Sequence, residues 1–360
     1  RYLNVLKKCF LANLMAFGMV TLSIPAMAET ITEHVDNSSG SFLTYEEAVT
    51  ASGLTASDSG GAIGNSGTIE FGSTATFTSN TASDGGAIAN YNYGNISFNA
   101  DADFTSNTAS LYGGAIVNLG TIEFGSTATF TENTASSYSG GAIDNYGTIT
   151  FNGGAEFTKN TASKHSGAIR NYGGTIEFGS TATFTENTAD FGGGAIDNYE
   201  NGTITFDGGA EFTSNTVTNG SGGAIYNSGS NSKITFDGTA EFTSNKTTGN
   251  YSYGGAIYNE GGTITFKDAF TFSGNTATSG QGADIYNYYG GTITFAQGAG
   301  KVGSLDGGIY QHVGYSTPSK INKTGAGTLI LGDNMVNGYY DNTSNPTRYQ
   351  SQFTQTAGLT

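Results

Sequence analysis

After residue 28 the chain alternates apolar and polar residues in short bursts, and nowhere at helical spacing. In Thr68-Ile69-Glu70-Phe71 the apolar side chains are Ile69 and Phe71, and in Ala75-Thr76-Phe77-Thr78 they are Ala75 and Phe77. A period of two sends one set to each face of a strand. The same bursts recur as Thr-Ile-Thr-Phe from Thr148 and Thr203, always between glycine-rich segments that suit sharp turns.

The bursts belong to a repeat. Gly-Gly-Ala-Ile begins at Gly60, Gly85, Gly113, Gly140, Gly193, Gly222 and Gly254, with variants at Ser166 and Gln281. Phe-x-x-Asn begins at Phe77, Phe104, Phe130, Phe157, Phe184, Phe212, Phe242 and Phe272, in step with the first tetrapeptide. Each unit reads as three short strands, and one unit alone cannot bury its Ile and Phe face. Propeller blades need about 40–50 residues and four strands, more than this spacing allows. The expectation is an all-β, right-handed parallel β-helix of about nine to ten coils. At about 4.8 Å per coil, nine make a rod of roughly 43 Å.

Stacking brings certain positions together. The residue after Ala-Ile runs Asp144, Arg170, Asp197, then Tyr226 and Tyr258; the middle of Phe-x-x-Asn runs Glu132, Lys159, Glu186. Each places a base between two acids, and Glu123, Thr150 and Glu177 also keep acids apart. Opposite charges on neighbouring strands contribute about 0.2–1 kcal/mol. An Asn follows Ala-Ile-x in every unit, from Asn65 to Asn287. These and the Asn80 series are expected to be architectural amide ladders rather than ligand contacts.

Composition narrows the setting. Lys7, Lys8, an apolar run from Phe10 to Ile24 and Ala26-Met27-Ala28 resemble a secretory signal peptide cleaved after Ala28. The chain starts at Arg1, so a few residues are expected upstream. Cys9, the single cysteine, lies inside that signal, which excludes disulfides and cysteine metal sites from the remainder. Beyond Ala28 there are 29 acidic residues against 10 basic ones, a surface that repels nucleic acid. The domain reading is signal peptide 1–28, N-terminal cap 29–58, β-helix 59–299, and a degenerate coil in 300–360, where Ile321, Leu329 and Leu331 can add one more turn.

Gly-Gly-Ala-Ile in step with Phe-x-x-Asn resembles the polymorphic outer membrane protein repeat of chlamydial surface autotransporters. The stretch from Ile321 to Asn334, closed by Asn337-Gly338, is similar to the passenger-associated transport repeat. The resemblance implies a passenger displayed at the cell surface or released, anchored through a C-terminal outer-membrane barrel and acting as an adhesin on a host-cell receptor or glycan. Nothing after Asn334 shows the alternating strands of a barrel, so the chain is read as a fragment. The cysteines frequent in chlamydial members are missing, which makes the resemblance one of repeat rather than lineage.

Candidate chemistry is sparse. Lys164, His165 and Arg170 form the one basic knot, with Lys159 one turn away, and can bind an acidic glycan or simply pair with nearby acids. Polysaccharide-degrading β-helices need clustered acids with a base, and no such set stands out, so no enzyme, no cofactor and no metal is expected. Thr-x-Thr pairs at Thr148, Thr203, Thr263 and Thr292 suggest an ice-binding array, but Glu70, Glu123, Glu177 and Lys233 interrupt it. The contact residues expected are Tyr146, Tyr172 and Tyr199 in one column, Tyr226 and Tyr258 in another, and Lys164 and Arg170. The expected function is a monomeric, non-catalytic surface adhesin; the alternatives are a secreted polysaccharide-binding or polysaccharide-degrading β-helix and an ice-binding solenoid.

Overall fold

The computed structural model describes residues 28–312, 317–331, 336–338 and 352–355, so the expected signal peptide lies almost wholly outside the described residues. Those residues form a parallel β-solenoid, and no helix occurs among them. One coil shows the build: Ile63–Asn65, Thr68–Phe71, Ala75–Thr78 and Thr81–Asp84 are successive strands, each on a different side of the rod. Every strand pairs in parallel with its equivalent one coil on. Ile96 and Phe98, for example, face Ile122 and Phe124.

The all-β parallel solenoid is therefore as read, but larger. Among the described residues three sheets are each twelve strands deep, against nine or ten coils expected, and a fourth sheet of eight strands adds a side to the central coils. The fourth strand comes from the pair after each Phe-x-x-Asn, Thr-Ala except at Thr216-Val217 and Lys246-Thr247, with Ala82, Ala109, Ala135 and Ala162 turned inward and buried. Its strands are only two residues long in most coils. The extra coils come from the ends. Residues 29–58 lack the tetrapeptides yet supply Glu29–Ile31, Val35–Asn37 and Phe42–Tyr45, the end strands of the three long sheets. Tyr45 there stacks on Phe71 at 5.1 Å. At the other end Ile321 is buried, while Leu329 and Leu331 pack against the core from partly exposed positions.

Two phenylalanine columns fill the interior. Phe71, Phe98 and Phe124 stack at 4.7 and 4.9 Å, and Phe77, Phe104 and Phe130 at 5.0 and 4.8 Å. These distances equal the strand spacing. Neighbouring columns meet edge to face, as Phe71 meets Phe77 at 89°, the geometry the ring quadrupole favours.

Asparagine ladders hold the corners. Asn90 Nδ2 donates to Asn118 Oδ1 at 2.8 Å, and Asn118 donates to Asn145 at 2.8 Å. In the second ladder Asn133 donates both its backbone N–H and Nδ2 to Asn160 Oδ1, each at 3.0 Å. Asn160 Nδ2 in turn donates to Phe130 O and to Asn187 Oδ1. All these amides are fully buried, which bears out their architectural reading. The second ladder ends at Asp284, which accepts from Asn275 Nδ2 at 3.0 Å and from the Gly307 and Gly308 N–H groups.

The first glycine of Gly-Gly-Ala-Ile has positive φ, +70° at Gly140. The second does not need it. A Cβ on Gly141 would lie 1.9 Å from Gly167 O in the next coil.

Candidate functional site

The recurring coil confines its variation to two segments. One joins the Thr-Ala strand to the next Gly-Gly, and grows from Ser83-Asp84 to the six residues between Thr247 and Gly254. The other follows Ala-Ile-x-Asn. Between them runs the outer face of the Ala-Ile sheet, one side chain per coil: Gly64, Ala89, Val117, Asp144, Arg170, Asp197, Tyr226, Tyr258, Tyr286, Tyr310. The column passes from small to charged to aromatic. The flanking segments cover it, so that Asp144, Asp197 and Tyr286 are buried although they point away from the core.

Arg170 lies in register between the two acids as expected. Its guanidinium is turned to one of them: Nη1 donates to Asp144 Oδ2 at 3.3 Å and to the Tyr146 hydroxyl at 3.0 Å. It also sits 4.7 Å from the Tyr172 ring centre. Burial pushes the Asp144 and Asp197 carboxyls up to about 7, with Arg170 opposing the shift in each. Two buried acids share one nearby cation, so they titrate as a coupled set. Burial also raises the Tyr146 hydroxyl to about 12, helped by Asp144.

Asp197 is the less satisfied acid. Its Oδ2 lies 3.6 Å from His165 Nδ1, and its Oδ1 is buried without a hydrogen-bond partner. His165 is held below its ordinary pKa by burial and by the charges of Arg170 and Lys164. Lys164 makes no ion pair among the described residues; its ammonium rests 3.9 Å above the Tyr138 ring. The basic knot is thus split. Arg170 pairs with Asp144 and Lys159 with Glu186 at 3.8 Å, whereas Lys164 stacks on an aromatic ring.

Lys164, His165, Arg170 and Asp197 line a cleft of about 470 Å³ with Tyr112, Tyr138, Tyr199 and Tyr226, within the usual range for small-molecule sites. The seven contact residues read from sequence divide around it. Lys164, Arg170, Tyr199 and Tyr226 line it. Tyr146 and Tyr172 flank Arg170, with rings 5.5 Å apart, and Tyr172 and Tyr199 are 5.6 Å apart. Tyr258 continues the column, stacked on Tyr226 at 5.0 Å, while the Tyr226 hydroxyl donates to Glu260 at 2.7 Å. Sequence reading missed Tyr112 and Tyr138. They stand in the irregular segment before Gly-Gly, where no tetrapeptide fixes the alignment, although both precede that glycine by only one or two residues.

Elsewhere the outer columns are as aligned, with one exception. Glu123, Thr150 and Glu177 stand in register, but Glu211 and Glu241 are direct neighbours. Both are exposed, and water screens the repulsion that burial would enforce. The threonines of the Thr-Ile sheet face outward in columns that contain Glu70, Glu123, Glu177 and Lys233. Among the described residues no group of three or more His, Asp or Glu side chains is placed to hold a metal ion, and no helix is long and apolar enough to cross a membrane.

No curated protein and no solved structure matches the chain. Residues 74–91 match the family model described as the Chlamydia polymorphic membrane protein (Chlamydia_PMP) repeat. That stretch runs from the Phe77 strand to the ladder residue Asn90, and its two tetrapeptides recur in step from coil to coil. Over those residues the unit that recurs through this solenoid is similar to the polymorphic membrane protein repeat.

Proposed function

We propose that the chain is a passenger of the autotransporter type, exported and carried on the outside of the cell, where it acts as a non-catalytic adhesive rod. The observation that carries the reading is the matched repeat folded as a parallel solenoid. A rod of stacked coils projects a contact surface away from a membrane, and repeats of this kind use an extended face rather than one deep pocket. The confinement of variable segments to the two borders of the Ala-Ile sheet supports that face as the contact surface, since binding residues concentrate on loops held by a rigid scaffold. An N-terminal signal of the kind read at residues 1–28 supports export.

Surface labelling tests the reading. Intact cells that make the protein are treated with a protease or an amine-reactive reagent that does not cross membranes. Modification of coil peptides in intact cells is the expected result. Modification only after lysis overturns display. Adhesion is assayed separately, by binding of the purified protein to cultured cells. The cleft beside Arg170 favours a second reading, a polysaccharide-binding rod, which needs no change to the display claim.

A further inference from the structure

The cleft holds a combination of groups that the rod itself does not use. Asp197 is 5 % exposed, and its Oδ1 is buried with no partner. The facing Nδ1 of His165 is likewise without a hydrogen bond. A buried carboxylate oxygen left unpaired costs stability, so a fold that stacks its other corner amides so completely has a gap here. Gly192 lets His165 and Tyr226 pack close on its backbone: a Cβ on it would come within 3.1 Å of His165 Nδ1 and 3.3 Å of the Tyr226 ring. A partner in the cleft would therefore hydrogen-bond Asp197 beside an imidazole nitrogen, and lie against tyrosine rings. Arg170 is paired with Asp144, and Lys164, on the Tyr138 ring, shares the cleft with the Asp197 carboxyl, so the cleft offers no concentrated positive charge to a polyanion.

We propose that this cleft is a saccharide subsite, in which neighbouring hydroxyls of a neutral hexose bond Asp197 and His165 while the sugar's C–H face lies on Tyr226. A sugar hydroxyl both donates and accepts, which matches a carboxylate beside an imidazole. A tyrosine gives the apolar face a platform, and the Tyr226 hydroxyl is held by Glu260. Tyr138 and Tyr112, stacked at 5.0 Å, extend the wall to neighbouring coils, so the chain of a longer glycan would run along the rod. The proposal rests on the Ala-Ile face being the contact surface, and it gives that surface a ligand class.

The test is titration calorimetry of the whole purified chain. The probes are maltotriose, mannotriose, chitotriose and lactose, with trigalacturonate and sialyllactose as acidic counterparts. Binding of at least one neutral sugar is expected, weakened tenfold or more in both Asp197→Asn and His165→Ala, with unchanged circular dichroism. The tenfold figure corresponds to one charge-assisted hydrogen bond of about 1.4 kcal/mol. Glu241→Gln, far from the cleft, should bind as the parent does. Failure of every neutral probe, binding of acidic probes alone, or affinity untouched by both variants while the fold persists overturns the proposal. None of these results bears on surface labelling of intact cells, so the two readings fail separately.

Discussion

At the scale of single residues, the ladders and the cleft show opposite treatments of a buried polar group. Asn160 satisfies and is satisfied on both sides, by Asn133, Phe130 and Asn187. Asn160→Ala strands several of those partners at once in a place water cannot reach. A loss of about 3–5 kcal/mol in urea unfolding is expected, since each orphaned group costs about 1–3 kcal/mol. Asn95→Ala, at an exposed position, should change stability by less than about 0.5 kcal/mol. Equal losses would show that the ladder contributes nothing beyond its backbone. Asp197 is the contrasting case, being buried and under-satisfied. Its carboxyl rises from 3.8 to about 7 on folding, so the folded chain holds a proton that the unfolded chain gives up between those values. Stability from this group is complete below about pH 4 and is lost as pH rises through about 7. Asp144 acts in the same direction. His165, lowered by burial, acts in the opposite direction as pH falls below its ordinary value. The comparison that isolates Asp197 is therefore wild type against Asp197→Asn. The variant should melt higher at pH 8 and show a smaller fall in melting temperature between pH 4.5 and 8. A fully buried acid shifted this far corresponds to at most about 4 kcal/mol. Parallel melting curves across that range would mean that Asp197 ionises freely in the fold.

At the scale of the element, a coil closes only where backbones approach without side chains between them. Gly141→Ala forces a methyl against Gly167 O and Thr161 N, at 1.9 and 2.7 Å. Both are backbone atoms in the next coil, so the conflict cannot be relieved by a rotamer. Gly298, whose added Cβ meets nothing within 4 Å, is the matched control. Gly141→Ala is expected to lower the melting temperature by several degrees and Gly298→Ala to leave it within about a degree; the reverse order would contradict the close approach. The second glycine of each Gly-Gly was legible as a recurring residue, but its reason was not, because the contact spans a whole coil of sequence. The positive φ of Ser79, Ser106, Glu132, Lys159 and Glu186 was equally hidden. Glutamate and lysine are unusual there, and they are tolerated because the following Asn locks the corner. Three strands per coil were readable from Ile and Phe alternation. The fourth was not, since a two-residue Thr-Ala pair is too short for periodicity to register. Residues 29–58 escaped for a related reason: Tyr45, Val49 and Ala51 do the work of Phe and Ala in that coil without repeating the tetrapeptides. The charged column was legible once the coils were aligned, but its burial was not, because it depends on the irregular segments that carry Tyr112 and Tyr138.

At the scale of the whole molecule, each coil touches chiefly its two neighbours, and the stabilising groups are shared between coils rather than held within one. Rod stability then behaves as a sum of coil and interface contributions, with the ends weakest. The ends differ from the centre in chemistry as well as position. The Thr-Ile column that is Phe from Phe71 to Phe295 reaches Lys323 in the next coil, and the first asparagine ladder gives way to Gln311 after Asn287. Amide hydrogen exchange should therefore be slowest near Phe157 and Phe184 and quicken toward Glu29–Ile31 and Thr328–Leu331. A cavity in the middle is a sharper probe than one at an end. Phe157 stacks on Phe130 and Phe184 at 4.8 and 4.9 Å and meets Phe151 edge-on, so Phe157→Ala removes contacts to both sides at a cost of about 3–5 kcal/mol. Faster exchange is expected in the coils on either side, fading within a few coils in both directions, while the terminal strands exchange as before. Acceleration spread evenly over all the coils would instead mean that the rod unfolds as one cooperative block. The tyrosine column would then be held by the whole solenoid, and no longer by the few coils beneath it.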